Sequence, residues 1–306
     1  MEVREWALPV YTILMQLAAG SLLSLWLIRW AAGRRHGYAP VDQVMRIPLL
    51  AILVTIVVAI LGSHFHLSRP HLSLLAVLNL RTSWLSREIL FTIVFFLAVS
   101  GLVYLHWFSS GYPRLKMALG WVGIVSGVVS VYCMAMIYLL PTQTMWNSPL
   151  TVISFLMTAV LLGVTAVAVL IVMDLKVSEI ADTAGMVLRA QIIRRSFIWL
   201  ALVGGITAVS ILLLNLSLIA MMRQGDLSAL TSIELLLGLY RPLFILRYFT
   251  LFAGVGWFAL TAFLLYRRPL REMVITTPVY LSCLLVLIGE ILGRFLFYAT
   301  HVRLGL

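Results

Sequence analysis

Charge is scarce in this chain. Of its 306 residues only 11% are Asp, Glu, Lys or Arg, while 62% are hydrophobic. A soluble domain carries roughly 25% charged and 45–50% apolar residues. Apolar surface in that excess needs lipid as its solvent, so a water-soluble fold is excluded. Cysteine is nearly absent as well. Cys133 and Cys283 lie inside apolar runs, and no CxxC pair occurs. Buried small hydrophobes are the ordinary role for such residues. Without paired thiolates, the chain itself is expected to hold neither an iron–sulfur cluster nor structural zinc. Lysine is limited to Lys116 and Lys176, and arginine supplies the other basic residues. No Pro/Gly/Ser-rich linker and no internal repeat divide the chain, so residues 1–306 read as one domain. The start Met1-Glu2-Val3-Arg4-Glu5 lacks a basic leader, and the apolar run after it is too long for a signal peptide, so no cleavage is expected.

What the chain does have is long apolar runs. A spanning helix needs roughly 20 mostly apolar residues. Eight stretches meet that length, near 7–32, 46–65, 88–108, 115–140, 150–173, 196–221, 240–266 and 274–300. Backbone groups in lipid must be satisfied internally, and no ten-residue alternation marks a barrel. The predicted fold class is all-α: a polytopic integral membrane helix bundle of about eight transmembrane helices. The net charge of +11 comes from basic residues at the ends of apolar runs, not from an aromatic-interleaved patch. These are membrane anchors, and nucleic acid is not an expected partner. Thirteen Arg and Lys collect on one side, from Arg29 to Arg271, against seven on the other, from Arg4 to Arg303. That bias places the first side in the cytoplasm and both termini outside.

Three connections are longer than simple turns: 66–87, 174–195 and 222–239. The first has Leu, Val and Trp between its basic residues, as an interfacial helix would, and it holds His66 and His71. The segment from Tyr138 to Pro149 is a charge-free outer turn whose aromatics are expected in the interfacial belt. It could also line a surface for a partner.

Ionisable residues at membrane depth are costly and mark functional sites by default. Glu88 opens the third span, Arg247 lies in the seventh, and Glu290 and Arg294 lie in the eighth, with Gln16 polar in the first. Glu290 and Arg294 are spaced to pair on one helix face, and Arg247 is long enough to snorkel to an interface. His66 and Glu88 bracket the first long connection. A quinol head group needs a hydrogen-bond partner at its hydroxyls and a base for its protons. A histidine and a partly buried carboxylate supply both. For haem, a bis-His site needs two facing histidines. Only His66 with His301 is conceivable, so a haem-free chain is expected.

Several ordered segments carry a family resemblance. They are Glu5-Trp6-Ala7-Leu8-Pro9 followed by Gln16 and Gly20, His66-Leu67-Ser68-Arg69-Pro70, and Leu78-Asn79-Leu80 through Leu85-Ser86-Arg87-Glu88-Ile89. The last is Gly289-Glu290-Ile291-Leu292-Gly293-Arg294 followed by His301. Together they resemble the membrane-anchor (DmsC-type) subunits of the dimethyl sulfoxide reductase family, over nearly the whole chain. The resemblance implies a haem-free anchor that oxidises menaquinol near the outer face of a bacterial or archaeal cytoplasmic (inner) membrane. It implies two partners: a ferredoxin-like iron–sulfur subunit and a molybdopterin catalytic subunit, which hold the clusters and the metal cofactor. His66 and Glu88 match the family's quinol-site positions. Arg69, Arg81, Glu290 and Arg294 stand as further quinol-site or structural residues. Ser68, the residue after His66-Leu67, departs from the small, Gly-like member expected there, and Arg69 before Pro70 adds charge beside the site. The competing readings are a secondary transporter built on Glu290, Arg294 and Arg247, a single-haem cytochrome b-like protein, and an anchor with no quinol site.

Overall fold

A computed structural model describes residues 3–64, 79–109, 111–177, 183–267 and 275–302. Helix α1 (Val3–His36) ends at Gly37, whose φ of +82° is the left-handed conformation that favours glycine; its N–H returns to the Gly33 carbonyl at 3.0 Å. A short α2 (Tyr38–Val44) then turns the chain into α3 (Arg46–His64). Helix α4 (Trp84–Phe108) is opened by Ser83, whose side chain accepts from the Ser86 N–H at 3.2 Å. Helix α5 (Pro113–Met136) begins on a proline, where the missing N–H costs nothing. Next come α6 (Pro149–Val177), α7 (Thr183–Met222) and α8 (Leu227–Glu234), which runs through a π-helical turn, Leu235–Leu239, toward α9 (Arg241–Arg267). Helix α10 (Thr276–Ala299) closes the fold. All the regular structure among the described residues is helical, and α1, α3, α4, α5, α6, α7, α9 and α10 are long and apolar enough to cross a membrane.

Helices α1 and α6 form the axis. Helix α1 packs on α3, α5 and α6, while α9 and α10 pair with each other and lean on α7 and α6. The axis is tight because Gly20 faces Gly163: a Cβ on Gly20 would sit 1.7 Å from the Ala159 carbonyl oxygen. Outside this core the pattern is inverted relative to a soluble protein. Val54, Leu61, Trp199, Ile206, Leu213 and Phe249 point outward, as side chains solvated by lipid do.

Three predicted boundaries shift. The connection expected at 174–195 is mostly helix, because α6 continues to Val177 and α7 begins at Thr183. With 40 residues, α7 is about 60 Å long, twice the hydrocarbon thickness. Its arginine-bearing first turns therefore stand beyond the lipid: hydropathy locates the membrane, not the helix end. Residues 222–239 are largely α8 and the π-helical turn. The third span starts at Trp84, ahead of the expected 88, while the proposed interfacial helix falls mainly on 65–78, outside the described residues.

Candidate functional site: a buried polar seam

Eight crossings place the starts of α1, α4, α6 and α9 and the end of α10 at one end of the bundle. Four charged side chains are buried there: Glu88, Arg247, Glu290 and Arg294. Among the described residues none of them is in an ion pair. Each meets a neutral group instead.

Glu88 is 3% exposed, one turn inside the Ser83 cap, and its carboxyl faces the Tyr11 phenol of α1. Arg294 donates to Gln16 Oε1 at 2.7 Å and lies 3.9 Å over the Phe155 ring. Gln16 in turn donates to the Phe155 carbonyl at 3.0 Å. Glu290 accepts from Thr158 Oγ1 at 2.9 Å. Arg247 makes a long 3.5 Å contact to Asn215 Oδ1. Gly293 admits it, since a Cβ there would fall 2.5 Å from the Arg247 Nε. Between these groups the hydroxyls of Tyr138 and Tyr298 bond to each other, within electrostatic reach of both Glu88 and Arg294. Glu290, Arg294, Arg247, Asn215 and Thr158 line a cavity of about 70 Å³. A water needs about 10–15 Å³ of such space, so several fit. Glu290 Oε1 and Arg247 Nε, which have no hydrogen-bond partner among the described residues, flank it.

Three expectations change here. Glu290 and Arg294 share a helix face but do not pair, because each finds a closer partner on another helix. Arg247 does not snorkel; it turns inward under Gly293 and is buried. The aromatics of the turn at 137–148 do not form an interfacial belt. Trp146 donates to the Phe297 carbonyl at 2.8 Å and stacks on His301, with ring centroids 4.6 Å apart, so the turn is packed down onto the end of α10.

His66 and Arg69 lie outside the described residues. Arg81 stands exposed at the approach to α4, and its carbonyl accepts from Arg87 at 2.7 Å. Arg87 also bonds the Leu80 carbonyl at 2.9 Å and lies 4.2 Å over Trp84, which fastens this approach one residue from Glu88. Tyr11, Thr158 and Asn215 escaped the sequence reading. Asn215 could have been found, as a lone amide in the run Ile211–Ile219. Tyr11 and Thr158 carry no such signal. Among the described residues no group of three His, Cys, Asp or Glu gathers as metal ligands do.

The opposite end is built differently. Asp42 on α2 binds Arg29 Nε at 2.7 Å, with Lys116 Nζ at 3.4 Å and His106 Nε2 at 3.5 Å. Burial by itself raises an acid, but the hydrogen bonds and charges of His106 and Arg29 outweigh it. They hold the Asp42 carboxyl well below the usual carboxylate range. Nearby, Arg189 of α7 pairs with Asp174 of α6 at 3.0 Å.

Fold and seam define a class: a multi-pass helical membrane protein whose spans enclose charges matched by neutral partners. Residues 1–300 match the family model for the DMSO reductase anchor subunit (DmsC), and the chain belongs to that family. It is similar to the anaerobic dimethyl sulfoxide reductase chain YnfH of Escherichia coli, 26% identical over 99% of this chain and 96% of that one. It is also similar to a sulfite dehydrogenase subunit of Allochromatium vinosum, 32% identical over 39% of this chain and 40% of that protein. The chain is thus a membrane anchor subunit of DMSO reductase-family oxidoreductase complexes.

Proposed function

We propose that the anchor oxidises menaquinol near the outer face of a bacterial or archaeal cytoplasmic membrane and passes the electrons to a ferredoxin-like iron–sulfur subunit. That subunit would serve a molybdopterin catalytic subunit. The observation that carries the proposal is Glu88, a carboxyl buried at the mouth of a span and matched by a phenol instead of a cation. Oxidation of a quinol releases two electrons and two protons. Glu88 takes one of these protons from a quinol hydroxyl without an ion pair having to break. His66, which opens the same connection in sequence, is the second proton acceptor and hydrogen-bond partner. Arg69 and Arg81, from the same connection in sequence, are further quinol-site candidates. Glu290 and Arg294 hold the far wall through Gln16, Thr158 and the tyrosine pair. Protons and electrons leave on the same side, so little charge crosses the membrane.

The test is Glu88→Gln in the assembled complex. A positioned base contributes roughly 10²–10⁴-fold, so quinol-driven turnover should fall about hundredfold. Turnover driven by a reduced dye that feeds the partner subunit directly should stand. Unchanged quinol turnover would remove Glu88 from the site.

A further inference from the structure

At the end of the bundle opposite the seam, α1 and α7 diverge and leave a groove of about 350 Å³ floored by Val160 and Val164 of α6. Leu23, Leu27, Leu200 and Val203 form its walls. On α1 it reaches from Leu23 to His36, about 20 Å along the helix axis. That is close to the depth of one leaflet, since the hydrocarbon core is about 30 Å thick. Apart from Ser24 and Ser196 the lining is apolar except at the mouth, where Arg35 and His36 of α1 meet Gln191 and Arg195 of α7. Among the described residues neither Arg35 nor Arg195 has an ion-pair partner. Their neighbours are engaged: Arg34 stacks over Trp30 at 4.2 Å, and Arg194 bonds the Leu265 carbonyl at 3.0 Å. Trp30 and Trp199 stand exposed beside the groove, as tryptophans at a lipid–water boundary do.

We propose that this groove binds one anionic phospholipid, its phosphate between Arg35 and Arg195 and one acyl chain lying along Val160 and Val164. Charge complementarity selects the occupant. Two cations at the rim that have no counter-charge among the described residues call for an anion, and basic pockets between spans recognise acidic headgroups. A quinone head group is neutral and would leave both arginines unmatched. The bound lipid would tie α1 to α7 where α7 leaves the membrane. The inference is independent of where quinol binds.

The intact complex, stripped of lipid in detergent, would be titrated with phosphatidylglycerol and with phosphatidylcholine of the same chains, and bound lipids counted by native mass spectrometry. One phosphatidylglycerol per anchor should bind in preference to phosphatidylcholine. The double variant Arg35→Gln/Arg195→Gln should weaken it about thirtyfold, from about fivefold for each cation at the surface. Leu27→Trp, at a half-exposed wall position, should weaken both lipids while leaving the complex assembled. Equal affinity for the two lipids, or an unaltered double variant, would overturn the proposal. So would displacement of phosphatidylglycerol by a neutral quinone analogue, which would make the groove a second quinone site.

Discussion

At one end of the bundle a single carboxylate, Asp42, gathers Arg29, Lys116 and His106 from three spans. At the other, Glu88, Glu290, Arg294 and Arg247 are comparably buried, yet each meets a phenol, a hydroxyl or an amide. The first arrangement sets cations around a carboxylate and braces α1, α2, α4 and α5. The second keeps charges distinct, with Arg247, Glu290 and Arg294 around a cavity that has room for water. A buried ion pair resists change, because removing either member strands the other. A charge held by a neutral group is able to exchange a proton or meet a ligand while its neighbours stay bonded. The difference separates a brace from a working site within one class of side chain.

Four outcomes would sharpen or break that contrast. Asp42→Ala should have the largest effect on stability, about 3 kcal/mol or more, because it leaves the Arg29 and Lys116 cations and the His106 ring without their acceptor. Thermal unfolding of the purified complex reads it, and quinol turnover per folded molecule should be kept. Lost turnover at unchanged stability would reverse the assignment of the two ends. Glu88→Gln should do the opposite: about hundredfold less quinol turnover, with a stability change below about 1 kcal/mol. Thr158→Val removes the one protein donor to Glu290 among the described residues and should cost about 2 kcal/mol. A cost near zero would mean that water in the cavity already serves that oxygen.

The smallest effect is the pH response of the brace. Asp42 is held below its ordinary value of about 3.9, so the unfolded chain takes up the proton first. The stability it contributes is therefore fully present above about pH 4 and is lost as pH falls through the lower folded value. Unfolding midpoints should be insensitive to Asp42 between pH 5 and 8. Below about pH 4 the native complex should lose stability more steeply than Asp42→Asn. Parallel acid limbs would falsify the coupling.

Much of the architecture was legible in the chain. The eight spans follow from local hydropathy, and Glu88 stood out because a carboxylate at membrane depth demands a reason. The start of α7 was not legible, because a helix continues past lipid wherever its backbone bonds continue, and Arg189, Arg194 and Arg195 do not interrupt them. The partners in the seam were not legible either. Gln16 reaches Arg294 across 278 residues, and Thr158 reaches Glu290 across 132. Spacing along α10 favoured a Glu290–Arg294 pair, and helix rules alone contain nothing against it. Only the approach of α1 and α6 offers each side chain another partner.

By itself, then, the sequence determined the solvent of this protein, its number of crossings, its family and which charges had to be buried. Those are properties of each segment's own transfer to lipid, summed residue by residue. Which buried charges pair and which stay with neutral groups was decided by the tertiary structure. Contacts of a few ångströms between distant helices depend on close approaches such as Gly20 against Gly163 and on the space Gly293 leaves for Arg247. Hydropathy carries no trace of that geometry, because it registers how much apolar surface a helix has and not which neighbour it will face.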